Sequence, residues 1–338
     1  MGRTMTGGFE RILLTGGAGF IGSHLAEALV RQGAKVSIID NFDPFYEAQW
    51  KRANLAEIER AGDFSFHQED IRQEAAMRRV FSSARPEAVI HLAARPGVRP
   101  SIEQPRLYEQ VNVGGTVNLL ELAREFHVRQ FVFASSSSVY GATARRPFSE
   151  EDSDLRPISP YGATKLAAET LCRTHASLHS LPVVCLRFFS VYGPRQRPDL
   201  AIHKFTALIE AGQPVPFFGD GTASRDYTHI DDIVAGVLAA LNYAPRRPAG
   251  CAPFDVLNLG NAHPVTLGAL VGLLEKATGK VVRRDPHPFP PGDVPLTWAD
   301  TRKAEELLDY RPAKCFEEGL REFVCWFHTR RASRGAAA

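Results

Sequence analysis

Three glycines spaced three apart, Gly16, Gly19 and Gly22, stand between a short apolar run (11–15) and an amphipathic stretch (20–32). A strand, a glycine turn and a helix in that order leave the chain little choice. The glycines allow a tight turn and close backbone approach, and the helix that starts there offers free N–H groups to an anion such as a pyrophosphate. A second apolar run (35–39) ends in Asp40, 18 residues beyond Gly22, where a carboxylate accepts from the hydroxyls of an adenosine ribose. No arginine follows at once to take a 2′-phosphate, so the turn reads as a site for NAD rather than NADP.

The same alternation continues. Strand-like runs at 64–67, 88–92, 130–134 and 182–186 are separated by helical patterns at 48–61, 74–83, 105–126 and 161–179. Strands alternating with helices build parallel β-α-β units, and runs apolar at every position belong to strands covered on both faces. The expected class is α/β, a Rossmann-type doubly wound parallel sheet. Beyond residue 190 proline and glycine become dense and the strands shorten, which marks a smaller α/β substrate-binding lobe. The expected division assigns 1–188 and 226–260 to the NAD-binding domain and 189–225 and 261–329 to the smaller lobe, with 330–338 a disordered tail.

Composition removes other classes. Forty basic against 38 acidic residues leave a net charge of +2, no footprint for nucleic acid. Five cysteines without a C-x-x-C pair argue for a reduced compartment and against a metal site. The apolar run near the N-terminus is too short for a signal or a membrane span, so a cytoplasmic protein is expected. A chain of 338 residues buries enough surface to need no staple.

The chemistry lies further along. Tyr161 and Lys165 stand at i and i+4, on one helix face. A phenol with a pKa near ~10 is too weak a base at neutral pH, and a neighbouring cation lowers it by about 1–3 units. Four serines, 135–138, follow the fifth strand-like run.

Taken in order, Thr15-Gly-Gly-Ala-Gly-Phe-Ile-Gly22, Asp40-Asn41, His91-Leu-Ala-Ala94, Ser135-Ser-Ser-Ser-Val-Tyr-Gly141, Tyr161-x-x-x-Lys165, Arg187-Phe-Phe189, Tyr192-Gly-Pro194 and Arg225-Asp226 resemble the extended short-chain dehydrogenase/reductases. Within them the likeness is to the nucleotide-sugar epimerases, from Ile12 to about Phe327. The resemblance implies a homodimer through the helices at 105–126 and 161–179. It also implies an NAD that is reduced and reoxidised within each turnover. That cofactor would lie along Gly16, Gly19, Phe20, Ile21, Asp40 and Asn41, then Asp70, Ile71, Leu92, Ala93, Ala94 and Asn112, and reach Tyr161 and Lys165. Catalysis falls to Tyr161, Lys165 and Ser136, with Ser137 the alternative occupant of the serine role.

Related dehydratases and decarboxylases carry carboxyl residues where this chain has Ser137 and Ser138. Without that acid, elimination loses its proton donor and epimerisation at C4 is favoured. The stretch 192–200 and Ser190 resemble the enzymes that act on UDP-glucuronate. The implied contacts are Ser136, Ser137, Ser138 and Ser190 on the sugar, Arg197 on the C6 carboxylate with Arg195 as its rival, Arg225 on the diphosphate and Asp293 on the uridine ribose. Lys204 and Phe218 are secondary candidates, and Pro290 departs from the family's Arg or Gln. The expected reaction is UDP-glucuronate to UDP-galacturonate through a 4-keto sugar. The alternatives are a UDP-glucose or UDP-N-acetylglucosamine 4-epimerase, a nucleotide-sugar decarboxylase or dehydratase, and a non-catalytic NAD sensor.

Overall fold

Ile12 and Leu14 of the first strand (β1, Arg11–Thr15) enter one hydrophobic core, while Leu13 enters a second on the opposite side of the sheet. The computed structural model describes residues 8–143, 145–245, 252–289 and 292–335, the side chains of 331–335 excepted. From β1 the chain runs through α1 (Phe20–Arg31), β2 (Lys35–Ile39), α2 (Ala48–Glu59), β3 (Ser65–His67), α3 (Glu74–Ala84) and β4 (Ala88–His91). Next come α4 (Val98–Glu103), α5 (Pro105–Glu109), a π turn (Gln110–Gly114), α6 (Gly115–Glu125), β5 (Gln130–Ser136), α7 (Pro160–His179) and β6 (Val183–Phe188). The remainder is β7 (Ser190–Tyr192), α8 (Ala201–Glu210), β8 (Val215–Phe218), β9 (Ser224–His229), α9 (Ile230–Asn242) and β10 (Phe254–Leu259). Then follow β11 (Pro264–Thr266), α10 (Leu267–Thr278), β12 (Arg284–His287), α11 (Arg302–Leu308) and α12 (Phe316–Gly335).

Seven strands form one parallel sheet in the order β10-β6-β5-β4-β1-β2-β3. The alternation seen in β1 holds across it. Val132 and Ala134 of β5 face the core shared with α1 and α9, while Phe131 and Phe133 face the one under α3, α6 and α7. The chain crosses from one edge of β1 to the other between β3 and β4. This is the switch point at which such sheets open a crevice beyond their strand ends. Outside the sheet lie a three-stranded sheet, β11-β9-β7, and a two-stranded one, β12-β8. β9 straddles the boundary expected at 225/226.

Three local expectations change. The helix read over 105–126 is interrupted by the π turn, whose extra residue turns Asn112 into the interior, where it is buried. The fifth strand extends two residues further, to Ser136, because Ala134, Ser135 and Ser136 pair with β6. The tail expected from 330 continues α12 as far as Gly335; residues 336–338 lie outside the described residues. Among the described residues no helix is long and apolar enough to cross a membrane. Cys172 and Cys185 are buried free thiols, Cys315 and Cys325 exposed ones, and Cys251 lies outside the described residues.

Candidate active site

The cleft above the switch point starts at the glycine turn. Gly16 has φ +71°, and a Cβ there would stand 2.8 Å from the Ala93 nitrogen, so only glycine lets the turn lie against the end of β4. A Cβ on Gly22 would fall 2.2 Å from the Gly16 carbonyl oxygen, so the first turn of α1 packs directly on the loop. No side chain caps α1, whose N-cap is Gly19. Its leading N–H groups therefore point into the cleft, a cradle suited to a pyrophosphate.

Asp40, at the end of β2, is buried. Its Oδ1 accepts from the Phe42 N–H at 2.9 Å and from Lys51 Nζ at 3.0 Å, which leaves Oδ2 for a ribose hydroxyl. Asn41 donates to Asp70 at 3.0 Å. Asp70 is also gripped by Arg72, and these bonds hold its carboxyl below the usual range despite the opposing cost of burial. Leu92, Ala93 and Ala94 complete the floor, and Phe20, Ile21 and Ile71 its sides.

Every expected cofactor residue lines this cleft except Asn112. Its amide is engaged by protein groups, accepting from the Arg95 N–H at 2.8 Å and donating to the Arg95 carbonyl and to Thr164 Oγ1, each at 3.1 Å. It ties the loop after β4 to α7 and is corrected from a contact residue to a support. His91 is a second support. Thr116 gives its hydroxyl proton to the Asn112 carbonyl (2.7 Å), so it can only accept from His91 Nε2 (3.0 Å). His91 Nδ1 must then accept from Thr15 Oγ1 (2.7 Å), which in turn accepts from the Ala93 N–H (3.1 Å). The ring is neutral, its pKa lowered to about 3 by burial and by Lys165.

Ser159 caps α7 by accepting from the Gly162 N–H, and Pro160 opens it, so Tyr161 and Lys165 occupy its first two turns. Lys165 donates to the Ala134 carbonyl at 2.8 Å and sits 4.9 Å from the centre of the Phe133 ring; burial lowers its pKa to about 8. The Tyr161 phenol is pushed up by burial and pulled back by a hydrogen bond with Ser136 and by the charge of Arg197. Arg197, which the sequence placed only on the substrate, thus also acts on this phenol.

The two arginines lie apart. Arg195 pairs with Glu27 on α1, whereas Arg197 lines the cleft with Tyr161. Arg197 is not free: Nε and Nη2 donate to both oxygens of Asp199, at 2.9 and 2.8 Å.

Ser136 also accepts from the Ser138 N–H and donates to Ser138 Oγ, each at 3.1 Å, and so shapes the short helical turn Ser137–Val139. Ser135 lines the cleft but spends its hydroxyl on Glu169. Glu169 forms a buried bidentate pair with Arg187, so Arg187 braces β6 from below. Arg225 donates to Asp293 at 2.6 Å, which joins two residues expected to act separately. They, with Ser136, Ser137, Ser138 and Ser190, stand off the cleft's lining, Ser136 reaching it through its bond with Tyr161. Asp226 accepts from the N–H groups of Asn261, Ala262 and Ala299 and is structural. Lys204 faces a neighbouring aromatic hollow with Trp50 and Trp326, and Phe218 carries Arg99 at 5.1 Å from its ring centre. Pro290 and Pro291 lie outside the described residues.

Sequence reasoning missed Lys51, Phe45, Tyr46 and Asp199. Residues 41–52 run from aromatic to basic, the one pattern that points to the first three; a surface helix pattern does not foretell that Lys51 folds inward.

Residues 13–323 match the model of the family described as GDP-mannose 4,6 dehydratase. A UDP-glucuronate 4-epimerase of Thermodesulfobacterium geofontis is 41% identical over 315 residues, 93% of this chain and 95% of that protein. The crystal structure of UDP-glucuronic acid 4-epimerase from Bacillus cereus, in complex with UDP-glucuronic acid and NAD, superposes with a TM-score of 0.86 at 36% identity, over 94% of this chain and 99% of that one. A UDP-glucose 4-epimerase of Thermotoga maritima, with UDP-glucose, reaches the same TM-score at 34% identity, over 95% and 99%. The backbone is thus common to enzymes of different sugars, and the sugar has to be argued from side chains.

Proposed function

The chain belongs to the GDP-mannose 4,6 dehydratase family, and from that premise we propose that it is an NAD-dependent UDP-glucuronate 4-epimerase, an isomerase that interconverts UDP-glucuronate and UDP-galacturonate. The observation that carries this reading is Arg197: a guanidinium in one cleft with the Tyr161 phenol, where an acid sugar needs a cation. Arginine–carboxylate pairs are charge-assisted and separate an acid from a neutral hexose.

The glycine turn and the uncapped start of α1 fit a dinucleotide's diphosphate, and Asp40 Oδ2 fits its ribose. NAD supplies the acceptor and donor of hydride at C4, so the sugar passes through a 4-keto form. The protein moves the proton. Tyr161 takes it from the 4-hydroxyl, Ser136 shares it through their hydrogen bond, and Lys165 holds the nicotinamide ribose from its seat against the Ala134 carbonyl. Arg225 and Asp293 act as a pair, with Arg225 on the diphosphate and Asp293 on the uridine ribose, while Ser137, Ser138 and Ser190 border the sugar.

A neutral hexose is the second reading, favoured by one observation: Asp199 already neutralises Arg197. Incubation with UDP-glucuronate, UDP-glucose and UDP-xylose, with chromatography of the products, decides between them. UDP-galacturonate from UDP-glucuronate is the expected outcome; a preference for UDP-glucose overturns the assignment.

The assembly is a homodimer through α6 and α7. Ala163, Ala167, Thr170, Thr174 and Leu178 form an exposed stripe of mostly small side chains along α7, which lets a second helix pair approach closely. Light scattering of the purified protein tests it. The protein resides in the cytoplasm, where thiols such as Cys172 and Cys185 stay reduced.

A further inference from the structure

Arg197 meets Asp199 side-on, Nε on one carboxylate oxygen at 2.9 Å and Nη2 on the other at 2.8 Å. A guanidinium fork has more N–H bonds than one carboxylate can accept, and this pairing leaves Nη1 outside it. The plane of the fork is constrained as well. The Phe45 ring lies 5.6 Å from the Arg197 guanidinium carbon and 5.1 Å from that of Arg95, and Arg95 is itself paired with Asp43. The arginine is therefore held along one edge and against an aromatic ring, and its other edge is left to the cleft that Tyr161 lines.

The charges of Arg197 and Asp199 cancel before any substrate arrives. The pair's contribution to an acid sugar is then direction more than attraction. Direction matters for a 4-keto sugar acid, because it is a β-keto acid. When its C5–C6 bond stands perpendicular to the plane of the C4 ketone, that bond can break. CO2 leaves, the bonding pair passes into the carbonyl as an enolate, and C5 takes a proton from water. The cleavage itself needs no oxidant; the hydride already taken from C4 would stay with the cofactor, so each keto-pentose released would leave one NAD reduced. A carboxylate held elsewhere by a fixed donor edge keeps the bond out of that alignment.

We propose that Asp199 is a positioning residue for acid sugars: by holding the Nε/Nη2 edge of Arg197 it leaves only the Nη1/Nη2 end to the C6 carboxylate, and so protects the 4-keto intermediate from decarboxylation. This rests on the UDP-glucuronate reading above. The competing account, that Asp199 only competes with substrate for Arg197, predicts the opposite: its removal would improve binding and leave the product pure.

The test is the partition of products. Wild type, D199N and D199E are incubated with UDP-glucuronate, and the ratio of decarboxylated UDP-4-keto-pentose to UDP-galacturonate is read by mass spectrometry, with UDP-glucuronate affinity followed by calorimetry. Freeing a charge-assisted partner corresponds to about tenfold or more, so the D199N ratio should rise by at least about that factor while D199E falls back toward wild type. The ratio is internal to each sample, so general damage to the fold, which slows both exits together, does not move it. An unchanged ratio in D199N with wild type epimerising normally overturns this proposal alone. A wild type inert toward UDP-glucuronate overturns the substrate reading and the proposal with it.

Discussion

Lys51 donates to Asp40 at 3.0 Å in a buried ion pair at the far end of the cleft, both side chains less than a tenth exposed. The pairing commits one carboxylate oxygen to protein and leaves the other for the ribose hydroxyl proposed above. It also explains how a carboxylate can be buried there at all, since an unpaired buried charge is costly.

The cofactor prediction follows from that pair. A 2′-phosphate would meet Asp40 Oδ2, and like charges brought together at a binding site cost several kcal/mol. The protein should bind NAD well ahead of NADP, and Asp40→Asn should narrow the gap by about tenfold or more. Titration of the cofactor-stripped protein with both dinucleotides measures this; equal affinities in the wild type would remove Asp40 from the ribose.

Tyr161→Phe should lower turnover by about 10²–10⁴ while bound NAD is retained, because the proton of the 4-hydroxyl then has no acceptor. Ser136→Ala should fall short of that loss, since Ser136 acts through its bond to the phenol. Single-turnover kinetics, with cofactor content read by absorbance after denaturation, check both. Near-normal turnover of the phenylalanine variant would refute the base assignment.

Arg197→Met should weaken UDP-glucuronate by about 1.5–3 kcal/mol, ten- to a hundredfold, and UDP-glucose far less. Because the arginine also lowers the Tyr161 phenol's pKa, the acidic, rising limb of the rate profile should move toward higher pH. An unchanged affinity for UDP-glucuronate would contradict a contact with its carboxylate.

His91 should give the fold an acid limit. Its folded pKa, about 3, lies below the ordinary 6.5, so the unfolded chain binds the proton more readily. Its contribution is complete above pH 6.5 and is lost as the pH falls from there toward 3. Across that window wild type should lose about 1.4 kcal/mol per pH unit more than His91→Gln. Urea unfolding at stepped pH gives the two slopes, and parallel slopes would show that the imidazole is not held neutral.

Reading the sheet from the sequence succeeded where local pattern and tertiary demand coincide. Ile12, Leu13 and Leu14 can be satisfied only by a strand covered on both faces, and Gly16 and Gly22 stand where any Cβ would strike the backbone. Tyr161 and Lys165 share a face because helical geometry leaves them no alternative, and Ser159-Pro160 starts that helix at the required residue. These are short-range constraints, carried by neighbours in the chain.

What the tertiary structure decided is everything that depends on partners far apart in sequence. Asn112 looked like a ligand contact and became a strut once Arg95 and Thr164 closed on it. Arg195 and Arg197 are alike in the sequence; Glu27 takes one, and the cleft receives the other. A cation that acts on Tyr161 comes from 36 residues downstream. Charge and hydrogen-bond energies depend on distance and burial, which pattern and propensity do not encode. The chain's motifs therefore determined the scaffold and the placement of Tyr161, while the pairing of each charged group was settled only by packing.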